Sequence, residues 1–129
     1  MSLPGLVDVV AEDPALRRAV AAVGTTTLDV IAPTVLRPFL LAALARDSDR
    51  TLLAVTATGR ESEDLATALQ CLLPPDSVVE FPAWETLPHE RLSPRADTVG
   101  RRIAVLHRLA HPGANDRIAV VVAPVRSIL

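Results

Sequence analysis

Apolar residues recur along this chain in two alternating signatures, a stripe at helical spacing and a short unbroken run. Leu3, Leu6, Val7 and Val10 stand at i, i+3, i+4 and i+7, the spacing of a short amphipathic helix. Asp13-Pro14 restarts the pattern as an N-cap followed by proline at the first helical position. Leu16, Ala19, Val20 and Val23 repeat the stripe, and Gly24 is the expected stop. Leu28–Ala32 then reads as a buried strand closed by Pro33, and a helix follows to about Arg46 with Pro38 held to its first turn. A polar turn at 47–50 leads to a strand at Thr51–Val55 and a helix from about Gly59 to Leu73. Val78–Phe81 is a third strand, and residues 82–94 are irregular. Asp97 opens a long helix with the stripe Val99, Ile103, Leu106 and Leu109, and Ile118–Ala123 is a fourth strand, apolar throughout.

Strands that alternate with helices, and that are apolar on both faces, predict an α/β fold: a parallel sheet of about four strands flanked by helices. Residues 1–24 form a pair of N-terminal helices, and 25–129 the first part of the α/β domain. The last strand runs into Ala123–Leu129 with no covering helix after it, which reads as a piece of a longer protein.

Composition narrows the classes. At 129 residues there is material for one α/β core and not two. Half the residues are hydrophobic, only three are aromatic (Phe39, Phe81, Trp84), and mean hydropathy is +0.34. The apolar runs at 39–45 and 118–123 are far too short to span a bilayer, and no basic-then-apolar leader opens the chain, so no membrane is expected. The single Cys71 lies in an apolar helical pattern as a small core residue, which excludes an internal disulfide and suits a reducing cytoplasm. All 13 cationic residues are arginine, but a net charge of −2 gives no overall basic footprint for nucleic acid.

The run from Leu52 to Leu65 has the outline of a phosphate-binding loop without its chemistry. A working loop reads G-x-x-x-x-G-K-[ST], in which backbone N–H groups cradle the phosphates, lysine reaches the outer ones and the hydroxyl holds Mg²⁺. Here Ala54 replaces the first glycine, Arg60 the lysine and Glu61 the hydroxyl residue, and only Gly59 survives. Thr58-Gly59-Arg60-Glu61 reads instead as a capping box, with Thr58 at the N-cap and Glu61 reaching back to it. Glu61, Glu63 and Asp64 are expected to crowd the first turn with carboxylates. A phosphate ~4 Å from one of them would feel roughly 4 kcal/mol of repulsion. The degenerate loop predicts a P-loop-NTPase-like shape that does not bind nucleotide.

A second segment is more distinctive. Phe81-Pro82-Ala83-Trp84-Glu85-Thr86-Leu87-Pro88-His89-Glu90-Arg91-Leu92-Ser93-Pro94 sets the lone tryptophan and three prolines in one loop. The prolines stiffen it, and Trp84 must pack on its own domain or, with His89 and Arg91, face a partner. Three stretches, 55–61, 84–94 and 120–127, together with Asp97-Thr98-Val99-Gly100-Arg101-Arg102, resemble the N-terminus of the bacterial transcription-repair coupling factors (Mfd) over roughly residues 50–129. Residues 1–49 match only in layout. The resemblance implies a UvrB-like α/β domain, similar to UvrB domain 1, that has lost its ATP-site residues. It implies as partners the rest of the Mfd chain, UvrA through an adjacent domain not present here, and RNA polymerase and DNA through the full-length protein. It implies no cofactor for this segment, ATP and Mg being used by motor domains elsewhere in the family protein. It also implies that the UvrA-recruiting surface is presented, and masked outside repair, by this region.

Other constellations are thin. His107 and His111 stand at i, i+4, but no cysteine or carboxylate pair completes a metal set. Ser93, His89 and Asp97 make a triad on paper only, with no nucleophile elbow around the serine. Arg91, Arg95, Arg101, Arg102 and Arg108 make residues 94–109 locally basic, as a solvated face or as a contact for DNA or an acidic partner. Trp84, His89, Arg91, Arg101 and Arg102 are therefore the candidate partner or interdomain residues. No catalytic residue is assigned. The competing reading is a true nucleotide-binding helicase lobe with an atypical loop, in which Arg60 holds Mg-ATP; a small-molecule enzyme lacks any convergent set.

Overall fold

The computed structural model describes residues 3–25, 27–48, 50–84, 93, 95–113 and 116–129. Two short helices, α1 (Pro4–Ala11) and α2 (Pro14–Ala21), open the chain, and Asp13 caps α2 by accepting from the N–H groups of Ala15 and Leu16. Gly24 takes a φ of +78°, the left-handed conformation that turns the chain out of the hairpin. A 3₁₀ turn (Thr34–Leu36) runs into α3 (Arg37–Asp47), with Pro38 in its first turn as expected. Then follow β1 (Leu52–Thr56), α4 (Gly59–Leu72), β2 (Val78–Glu80), α5 (Ala96–Ala110), β3 (Val120–Pro124) and a final turn of helix, α6 (Val125–Ile128).

The sheet is parallel and three-stranded among the described residues, in the order β1-β3-β2. Successive side chains of β3 enter different apolar clusters, as the period of two requires. Val120 and Val122 join Leu69, Ala66, Val78 and Ala54 on the α4 side, while Val121 joins Val105 of α5 and Ile118 on the other. Helices α1 and α3 thicken the first layer: Val7, Ala42 and Ala43 are buried in that larger cluster, and the Leu3 N–H donates to the Cys71 carbonyl at 2.7 Å.

Three expectations are corrected. Residues 28–32 form no regular element and lie outside the sheet, so the described strands number three and not four; no described strand pairs with them, and Ile31 is fully exposed. The α5 stripe is not the buried face: Ile103, Leu106 and Leu109 are exposed, and Thr98 and Val105 point inward instead. Cys71 is exposed, because α4 turns Ala66, Leu69 and Leu72 to the core and leaves position 71 outside.

Candidate functional site

Only Ala57 and Thr58 separate the end of β1 from the start of α4. Thr58 is extended (φ −127°, ψ 160°), and its Oγ1 accepts from the Glu61 N–H at 3.2 Å. The Glu61 carboxylate accepts in turn from the Ala57 N–H at 3.1 Å, one residue earlier than a standard capping box would place it. The Thr56 hydroxyl closes the turn by donating to the Thr58 carbonyl at 2.9 Å. Two N–H groups that would face an anion are thus held by side chains of the same turn.

Ala54 is not in this turn. It lies in the middle of β1 opposite Val122, with its side chain buried, so the spacing of a phosphate loop is not reproduced in three dimensions. Gly59 is the first residue of α4, and a Cβ there would meet nothing within 4 Å, so no close approach requires glycine. Arg60 and Glu61 are exposed beside it. Of the three carboxylates only Glu61 falls in the first turn, where it complements the helix dipole. Glu63 lines a groove toward α5, whereas Asp64 lines a cleft with Glu61 on the other side.

The structure brings Trp84 and Arg102 together. The Arg102 guanidinium lies over Phe81 at 4.0 Å and over Trp84 at 4.3 Å from the ring centres, a cation between two π faces. Its Nη1 donates to the Pro82 carbonyl at 2.6 Å, and both terminal nitrogens reach the Ser127 carbonyl at 3.3 Å. Burial lowers its pKa from the usual arginine value, without threatening its charge at neutral pH. The exit of β2, the first half of α5 and the C-terminal turn are tied by this one side chain, and Trp84 keeps 40% of its surface exposed. Sequence reasoning missed Ser127, because a backbone carbonyl acceptor leaves no signature in residue types.

Arg101 and Arg108 are also engaged within the chain. Arg101 pairs with Glu80 at 3.0 Å, and Arg108 pairs with Asp116 at 2.6 Å while donating to the Asp76 carbonyl. His89 and Arg91 lie outside the described residues, and with His89 the paper triad cannot be placed. The His107 and His111 rings stack at 4.6 Å, and no group of three or more metal-ligating side chains occurs among the described residues. No helix among them is long and apolar enough to cross a membrane.

No family model matches the chain. It is homologous to a short segment of the transcription-repair-coupling factors of Mycobacterium bovis and Mycobacterium tuberculosis, at 45% identity over 132 residues in each case. The match covers 98% of this chain and 10% of each relative, so the chain spans about a tenth of the proteins it resembles.

Proposed function

We propose, with that homology as the premise, that the chain is a non-hydrolysing structural and interaction module of transcription-coupled nucleotide excision repair. Its role is to scaffold the region of Mfd that recruits UvrA. In the full-length protein, an ATP-dependent DNA translocase that displaces stalled RNA polymerase, nucleotide chemistry belongs to other domains. This segment is the first part of a UvrB-like domain and contributes rigidity and surface. The observation that carries the reading is the turn after β1: Thr58 and Glu61 side chains take the N–H groups of Glu61 and Ala57, and Ala54 sits in the strand. The clamp around Arg102 supports it, since a cation committed to two rings and two carbonyls braces a scaffold.

Equilibrium binding of Mg-ATP and Mg-ADP to this chain tests the proposal. The expected result is no saturable binding. Binding tighter than about 100 μM, roughly 5.5 kcal/mol, that Arg60→Ala abolishes would overturn it in favour of an active nucleotide lobe.

A further inference from the structure

We propose that His107 and His111, at the C-terminal end of α5, form a two-imidazole site for a first-row transition-metal dication, Cu(II) ahead of Zn(II), with water in the remaining positions. The inference concerns that end of α5 alone and stands whether or not the chain binds nucleotide.

The first observation is convergence. Residues four apart lie on one face of a helix, but Pro112 and Gly113 end α5, and His111 leaves the helical region at φ −129° and ψ 68°. The last helical bond survives this departure, the His111 N–H donating to the His107 carbonyl at 2.9 Å. The two rings therefore stay together, their centres 4.6 Å apart and their planes inclined by 26°. Both residues are exposed to solvent.

The second observation fixes a proton. His111 Nδ1 stands 3.1 Å from the same carbonyl oxygen. A carbonyl only accepts, so Nδ1 is the donor, and the lone pair of the neutral ring lies at Nε2, away from the backbone. Metal-ligating histidines are held in this way, with the second ring nitrogen donating to a backbone carbonyl or a carboxylate. His107, one turn back, can offer a nitrogen to the same ion.

The third is local charge. The free carbonyls at the end of a helix carry partial negative charge, which favours a bound cation. The neighbouring cation, Arg108, is engaged elsewhere, by Asp116 at 2.6 Å and by the Asp76 carbonyl at 2.8 Å.

Two ligands fall short of the closed four-ligand set of a structural zinc site, and no third such side chain joins them among the described residues. Imidazole suits copper, nickel and zinc, and affinity peaks at copper. Mg(II) and Ca(II) require oxygen ligands and do not fit. Because α5 runs back from the end of β2 to the start of β3, the site lies at the opposite end of the sheet from the turn after β1.

Titration with CuCl₂ tests the site, in a chain carrying Cys71→Ser so that the exposed thiol neither binds nor reduces the metal. Calorimetry reads the affinity, and the nitrogen hyperfine pattern of the Cu(II) electron paramagnetic resonance spectrum reads the ligands. The expected result is a 1:1 complex with two imidazole nitrogens on the ion. His107→Ala and His111→Ala should each weaken binding at least about tenfold, since losing even an outer partner of a metal ligand has that effect. Zn(II) should bind more weakly at the same residues, and Mg(II) not at all. Both substitutions fall on exposed residues, and far-UV circular dichroism confirms that each variant keeps its helices. No saturable binding, a single nitrogen in the spectrum, or a loss in only one of the two variants overturns the proposal. Binding unchanged in both variants overturns it as well and shows an adventitious ion only.

Discussion

Three separate parts of the chain meet at Arg102, and none of those meetings is written in residue spacing. Trp84 and Arg102 each stand out in the sequence, one as the lone tryptophan and the other in a basic run. They are 18 positions apart, and no periodicity relates a loop ring to a helix guanidinium. Replacing Arg102 with Met keeps the stem but leaves the Pro82 and Ser127 carbonyls without their donor. The expected loss is about 1–3 kcal/mol, from the hydrogen bonds and the cation–π contacts. Arg102→Lys should recover less than half of it, because an ammonium cannot fork between two carbonyls and stack on two rings. Urea unfolding followed through Trp84 emission measures both, and an Arg102→Met protein of unchanged midpoint and emission would refute the clamp. Ser62 makes the opposite case. It is fully buried, and its hydroxyl has no hydrogen-bond partner among the described residues. Ser62→Ala should therefore be neutral or stabilising by up to about 1 kcal/mol, and a lowered thermal midpoint would show that the hydroxyl is satisfied after all.

Element by element, what was legible was what is local. Asp13-Pro14 and Thr58-x-x-Glu61 announce the starts of α2 and α4 because a cap is chemistry within one turn, and both caps form. Residues 28–32 and the α5 stripe were misjudged for a shared reason. Periodicity reports which face of an element is apolar, not whether anything covers it. Ile103, Leu106 and Leu109 lie along one side of α5, yet the sheet is met by Val105. The phosphate-loop reading rests on position alone: Ala54 lies within β1, and only Ala57 and Thr58 separate that strand from α4. At this scale the cap can be tested directly. Thr58→Ala should cost about 1 kcal/mol and Thr58→Asn almost nothing, because asparagine supplies the same acceptor to the N–H of Glu61. Equal losses in chemical denaturation would mean that the Glu61 carboxylate, not Thr58, holds the turn.

For the molecule as a whole, the two faces of the sheet are unequally finished. On one, α1, α3 and α4 bury a cluster that includes Val7, Leu69, Val120 and Val122. On the other, α5 reaches Val121, Val79 and Phe81 but leaves Leu53 and Val55 of β1 uncovered. A parallel sheet normally has both faces covered, so stability in this chain should reside almost wholly in the finished layer. Leu69→Ala, which removes a fully buried side chain, is expected to cost about 2–5 kcal/mol. Leu53→Thr keeps β propensity on a face already open to water and should change stability by no more than about 0.5 kcal/mol. The same Leu53→Thr change at the aligned position of a full-length relative should cost clearly more, because an added layer would convert an exposed leucine into a core one. Urea midpoints for the two variants, in the short chain and in the long one, separate the cases. A Leu53→Thr loss comparable to that of Leu69→Ala in the short chain would mean that the second face is already closed.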